Sequence, residues 1–142
     1  MTNYIPTIGV LVISGDKVLL VKHTEKAHHL TGSYGLPAGR LESDESLEEG
    51  ALRELLEETG LKVERDDLVH LPHVFYADIP RKGGEIAYFK WDVFVARKFI
   101  GEIRGSDETI PEWVELSAVS KFNLIANTEN AINEGLQLLN HE

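Results

Sequence analysis

Within the stretch Gly39 to Leu61, eight carboxylates fall between Glu42 and Glu58, at Glu42, Asp44, Glu45, Glu48, Glu49, Glu54, Glu57 and Glu58, with one cation, Arg53, among them. The punctuation of this stretch is helical. A helix is predicted from about Ser46 to Thr59, with Ser43 or Asp44 capping its approach and Gly60 as a left-handed terminator. Like charges four residues apart on a helix each cost about 0.2–0.5 kcal/mol. Glu57 and Glu58 also stand near the C-terminal end, where the helix dipole disfavours anions. Such a helix works against itself unless something positive binds to it.

A helical wheel sorts these acids. With Glu54 at zero and about 100° per residue, Glu57 falls at about −60° and Glu58 at about +40°. The three share one arc. Gly50 lies in that arc one turn earlier and leaves room beside it. Ala51, Leu52, Leu55 and Leu56 fill a neighbouring arc suited to packing on a sheet. Arg53 is offset toward Glu49 and Glu57, each four residues away, and can hold carboxylates in orientation. Glu42, Asp44, Glu48 and Glu49 read as solvated.

Clustered oxygen donors without His or Cys favour a hard cation, Mg²⁺ or Mn²⁺. Few protein ligands leave positions for substrate phosphates. The alternating acids and loop glycine of an EF-hand are missing. The competing reading is a solvated acidic helix face, which the scarcity of balancing lysines disfavours.

The flanking sequence predicts one mixed α/β domain over residues 1–142. Thr7–Ser14 and Lys17–His23 are β-rich runs across Gly15-Asp16, predicting a hairpin with both faces covered. Thr24–Ser33 reads as a loop, and Tyr34–Gly39 as a tight non-helical turn. Leu61–Glu64 reads as a short extended segment. Leu68–Tyr76 reads as a strand interrupted at Pro72.

Arg81–Gly84 is a turn, and Glu85–Arg97 is the longest strand candidate. Ala87, Phe89, Trp91, Val93 and Val95 lie on one face, with a mixed set opposite. Trp113–Leu116 is a short strand, Ser117–Phe122 a turn of helix. A last helix is capped by Asn127 or Thr128, with Ala131, Ile132, Leu136 and Leu139 at helical spacing.

Charge bounds the partners. The net charge of −10 argues against broad nucleic-acid binding, while a small phosphorylated substrate stays open because a cation reverses the local sign. With no cysteine there is no disulfide, thiolate metal site or catalytic thiol. The N-terminus lacks a secretory pattern, and the longest apolar run, Val10–Ile13, is too short to span a bilayer. The expectation is a cytoplasmic protein that does not enter a membrane.

The stretch resembles a known signature. Gly39, five residues, Glu45, seven residues, Arg53-Glu54-Leu55, one residue, Glu57-Glu58, one residue and Gly60-Leu61 is similar to a complete Nudix box. Tyr34–Gly39 and Trp113–Leu116 resemble the family's flanks. The resemblance implies an α/β/α sandwich around a mixed central sheet, with the box as loop, helix and loop. It implies Mg²⁺- or Mn²⁺-dependent hydrolysis of a phosphoanhydride in a nucleoside diphosphate linked to another moiety. Carried over by position, Glu54, Glu57 and Glu58 bind metal, and Glu45 supports the helix entry. Arg53 orients a glutamate, and Gly39 and Gly60 shape the loops. Glu54 is favoured for metal and as a candidate base. Glu108 and Glu112 lie in a late region from which some members recruit a base.

Substrate markers outside the box are weaker. His23, His28 and His29 sit on or beside the first loop. Arg40, Lys22, Lys90, Arg81 and Lys82 are candidate phosphate partners, and Tyr76 is a candidate base-stacking residue beside Tyr88, Phe89 and Trp91. A nucleoside triphosphate pyrophosphohydrolase is the first reading. ADP-ribose or nucleotide-sugar hydrolysis, dinucleoside-polyphosphate hydrolysis and a non-catalytic nucleotide sensor are the alternatives. A homodimer follows only by family analogy.

Overall fold

The structure is a computed structural model describing residues 3–25, 31–81 and 83–140. Its elements run β1 (Ile5–Ser14), β2 (Lys17–His23), β3 (Tyr34–Gly35), β4 (Ala38–Arg40), α1 (Leu47–Thr59), β5 (Val69–His70), β6 (Phe75–Pro80), β7 (Ile86–Ala96), β8 (Thr109–Glu115) and α2 (Thr128–Asn140). The hairpin forms as expected: Ile13 pairs with Val18 and Ser14 with Lys17, around a Gly15 at φ 60°. That left-handed conformation is the one a tight hairpin turn requires.

The strands form one eight-stranded mixed sheet. β1 and β7 run parallel from the Ile5–Phe89 pair to the Val12–Ala96 pair. β4 joins β1 antiparallel, and β2 carries β3 and β8. β5 and β6 both pair with β7. Pro72 divides the region read as one strand into β5 and β6, because proline gives a ladder no N–H. The late strand is longer than Trp113–Leu116. It begins at Thr109 and accommodates Pro111 opposite Val21, since β8 has β2 as its ladder partner and its other side lies at the sheet's edge. Leu61–Glu64 contributes a single bridge, Lys62 to Ile100.

Both sheet faces are covered, which explains the near-continuous apolarity of β1 and β2. Ile8, Val10, Val12, Leu19 and Phe94 pack with Ala51 and Leu55 of α1. Leu11, Ile13, Val18, Leu20, Val93 and Val95 pack with Ala131 and Ile132 of α2. This is an α/β/α sandwich. Close approach of α2 depends on Gly135, where a Cβ would lie 2.3 Å from Leu11 Cδ2. A third cluster joins Ala77, Ile79, Phe89, Trp91 and Ile125 beneath the cavity described next. Among the described residues no helix is long and apolar enough to cross a membrane.

Candidate active site

The helix that carries the acids spans Leu47–Thr59, close to the expected Ser46–Thr59, but neither Ser43 nor Asp44 is its cap. Ser46 is the N-cap: its Oγ accepts from Glu49 N at 3.1 Å, and Glu49 Oε1 accepts from Ser46 N at 2.9 Å. This reciprocal capping box satisfies two orphan donors and also uses up Glu49. Gly60 ends the helix at φ 83°, as expected. Thr59 is buried at the last turn, its Oγ1 donating to Leu55 O at 2.7 Å.

Arg53 is the hub. Its Nε and Nη2 donate to Glu45 Oε2 and Oε1 at 2.5 and 2.8 Å. Nη1 donates to Glu54 Oε1 at 2.7 Å and Glu57 Oε2 at 3.2 Å. Nη2 also donates to Arg40 O at 3.0 Å. These five contacts match the five N–H groups of a guanidinium. Arg53 therefore reaches Glu57 as expected, but turns from Glu49 to Glu45, because Glu49 belongs to the cap. Glu45 supports the helix entry twice, since its Oε1 also accepts from Glu42 N at 2.9 Å.

The loop before the helix closes on the acids. Ala38 N donates to Glu58 Oε1 at 2.7 Å. A Cβ on Gly39 would lie 2.2 Å from both Glu54 carboxylate oxygens, so only glycine permits the carboxylate to lie against this backbone. Gly50 does not leave open room, contrary to the wheel reading. Its missing side chain admits Leu41, whose Cδ1 would be 2.8 Å from a Cβ there.

Electrostatics separate the carboxylates. The Arg53 hydrogen bonds hold Glu45 down at about 2. Burial pushes Glu54 up, opposed by Arg53. Burial pushes Glu58 up to about 8, and the charges of Glu54, Glu108 and Glu57 add to it, against the Ala38 N–H. A buried and a half-buried carboxylate with costly ionised forms, beside an exposed third, form a hard-oxygen donor set that a divalent cation would stabilise. The residues present thus suit Mg²⁺ or Mn²⁺. Among the described residues no group of three stands in closed ligand geometry; Glu57 is turned to Arg53.

A cavity of about 580 Å³ opens beside these acids, within the size range of small-molecule sites. Gly39, Arg40, Glu54, Glu57 and Glu58 form one wall. Leu36, Ile79, Phe89, Trp91 and Ile125 form an apolar wall, and His23 with Ser106–Thr109 a polar one.

The structure therefore brings together Gly39, Arg40, Glu54, Glu57, Glu58, Glu108 and His23. Arg53 and Glu45 stand behind them, and Gly60 closes the helix. It does not bring in Tyr76 or Glu112. Tyr76 is exposed on β6 and meets Tyr4 edge-on at 4.9 Å, because strand alternation sends Ala77 and Ile79 inward instead. Glu112 pairs opposite Leu20 and is exposed. His28, His29 and Lys82 lie outside the described residues.

Sequence reasoning missed Leu36, Ile79, Ile125 and Asp107. Ile125 arrives through Ile125 N donating to Tyr34 O at 2.8 Å, a contact between residues 91 apart with no local signal. Phe89 and Trp91, named beside Tyr76 as aromatics near a base, are both core and cavity wall.

Comparisons agree with the signature. A family model described as NUDIX domain matches residues 3–134. The chain is 32% identical over 110 residues to an oxidized purine nucleoside triphosphate hydrolase of Danio rerio, covering 78% of this chain and 65% of that one. It thus spans less than two thirds of that relative's length. Its fold resembles the NUDIX domain of Shewanella oneidensis NrtR complexed with ADP ribose, with TM-score 0.78, 21% identity and coverage of 98% and 90%. It also resembles a bifunctional NMN adenylyltransferase/ADP ribose pyrophosphatase of Francisella tularensis complexed with AMP and a Mn ion. That likeness has TM-score 0.71, 25% identity and coverage of 96% and 42%.

Proposed function

The chain belongs to the NUDIX domain family, and from that premise we propose that it is a metal-dependent nucleoside triphosphate pyrophosphohydrolase. The observation that carries the proposal is the Arg53-braced carboxylate cluster opening onto a cavity that is also lined by Leu36, Ile79, Phe89, Trp91 and Ile125. Charge at one side suits a polyphosphate with its cation, and the apolar side suits a nucleobase. Water would attack one phosphorus of the anhydride, the bridging P–O bond would break, and a nucleoside monophosphate and pyrophosphate would leave.

In this reading Glu54, Glu57 and Glu58 hold the cation, Mg²⁺ or Mn²⁺, which supplies charge neutralisation to the phosphate oxygens. Arg53 fixes the orientation of Glu54 and Glu57 through Nη1. Gly39 lets Glu54 approach the loop backbone, and Ala38 N orients Glu58. Arg40 faces the substrate phosphates from the rim. Glu54 and Glu108 are the candidate proton acceptors for the attacking water, both on the cavity surface. A cytoplasmic location and a homodimer belong to the same proposal, testable by fractionation and sedimentation.

ADP-ribose hydrolysis is the second reading, favoured by the similarity to the Francisella tularensis ADP ribose pyrophosphatase. A panel of nucleoside triphosphates, ADP-ribose, nucleotide sugars and dinucleoside polyphosphates, with Mg²⁺ and Mn²⁺ and with products identified, decides. Release of pyrophosphate from triphosphates is expected. AMP with ribose 5-phosphate from ADP-ribose as the dominant reaction would replace the first reading. Ligand binding without turnover across the panel would make the domain a sensor.

A further inference from the structure

The polar wall of the cavity is a short turn with unusually complete bracing. Ser106 N donates to Thr109 O at 2.9 Å, and Ser106 Oγ accepts from Glu108 N at 3.3 Å and Thr109 N at 3.2 Å. These bonds set the turn and anchor it to Thr109 at the start of β8. A second tie comes from Thr24, the residue after β2. The β2–β8 ladder ends at the His23–Thr109 pair. Thr24 continues past it, its N donating to Glu108 O at 2.9 Å and its Oγ1 donating to Asp107 O. Two consecutive carbonyls of the turn are thus clamped by one residue 83 positions away.

The side chain between those carbonyls and Thr109 is Glu108, which lines the cavity with Glu54, Glu57 and Glu58. We propose that Thr24 is a positioning residue for the active site, its hydroxyl fixing the turn so that the Glu108 carboxylate faces the box glutamates. This rests on the reading above that Glu108 is one of the working carboxylates; standing on the same cavity as Glu54, Glu57 and Glu58, its charge also helps to draw the cation they hold. The backbone N–H of Thr24 donates to Glu108 O, and its hydroxyl adds the second bond, to Asp107 O. Valine preserves the branched shape and removes that bond; serine preserves the bond and removes the branch.

The test compares wild type, Thr24→Val, Thr24→Ser, Glu108→Gln and the Thr24→Val/Glu108→Gln double variant. The readouts are kcat and KM on the best substrate of the panel, and Mn²⁺ affinity of the nucleotide-free protein by electron paramagnetic resonance. Outer residues that orient metal-site groups are worth about 10–100-fold, so Thr24→Val should lower kcat by about 10-fold with KM nearly unchanged and weaken Mn²⁺ binding. Thr24→Ser should match wild type, and Thr24→Val should add nothing once Glu108 is glutamine.

An equal Thr24→Val effect in the Glu108→Gln background overturns the proposal, as does a Thr24→Val protein with wild-type kcat and Mn²⁺ affinity. Should Glu108→Gln itself leave both readouts unchanged, the placement of Glu108 fails and Thr24 falls with it. The Mn²⁺ arm needs no nucleotide, so a wrong substrate assignment leaves it interpretable. If Thr24→Val does not fold, Ser106→Ala, which loosens the same turn, replaces it with the same expectations.

Discussion

Arg53 and Glu45 meet through two parallel hydrogen bonds although they lie eight residues apart and on opposite sides of the α1 N-cap. The helix therefore carries its own brace. The guanidinium is gripped from behind by Glu45, leaving Nη1 to hold Glu54 and Glu57 at the cavity. Lysine cannot reproduce this fork. Arg53→Lys is expected to lower kcat by about 10–100-fold while the fold, judged by circular dichroism, persists. Wild-type turnover in that variant would remove Arg53 from the machinery.

The same pair predicts an acid limb of stability. Glu45 is held at about 2 in the folded protein against an ordinary 4.5, with Arg53 as the main cause. A carboxylate depressed on folding stabilises above its unfolded pKa and loses that contribution as pH falls toward the folded one. The melting temperature of wild type should thus drop between about pH 4.5 and 2 more steeply than that of Glu45→Gln, measured by scanning calorimetry. Parallel curves would show that the pair does not contribute.

Glu58 has the opposite sign. Burial raises it to about 8 in the folded chain, so its contribution is present below about pH 4.5 and is lost as pH rises through about 8. In chelator, the protein should lose stability as pH rises from about 4.5 to about 8, and Mg²⁺ should raise the melting temperature more at pH 9 than at pH 6. Glu58→Gln should flatten that limb and abolish most of the Mg²⁺ increment. An equal Mg²⁺ increment in wild type and variant would take Glu58 out of the cation site.

Gly39 is a test of close approach. A methyl group there would meet both Glu54 carboxylate oxygens at 2.2 Å, displacing the acid rather than the sheet. Gly39→Ala is expected to reduce kcat by about 100-fold, since a displacement of about 1 Å at a reacting group can cost that much. Its denaturation midpoint should shift little. Unimpaired turnover would mean that Glu54 works from another position.

Gly135 makes the complementary prediction, far from the cavity. Alanine there would press within 2.3 Å of the fully buried Leu11. Overpacking of this kind costs about 1–3 kcal/mol, readable from urea denaturation. Activity per folded molecule should be unchanged.

The sequence made α1 legible because its signals are local. The terminator Gly60, the apolar Ala51–Leu55 pair and the carboxylate spacing all fall within 23 residues. Even there one detail escaped: the capping box needed Ser46 and Glu49 together, and so Arg53 was assigned the wrong neighbour upstream. Beyond the β1–β2 hairpin, the sheet was legible as strands but not as pairings, since the parallel β1–β7 contact joins residues about eighty positions apart. The cavity wall was the least legible part. Ile79, Ile125 and Asp107 carry ordinary local chemistry and acquire a role only by where β6, the loop before α2 and the Thr24-bound turn converge.

The brace that begins at Glu45 and the wall that holds Phe89 and Trp91 belong to different elements, one to a helix and its flanking loops, the other to strands and late turns. In the proposed reading, chemistry and choice of substrate are therefore divided along the backbone. A lineage could rewrite the wall residue by residue, trading one leaving group for another, while the helix kept cutting the same kind of bond. A fold divided in this way is well suited to diversify its targets without reinventing its reaction.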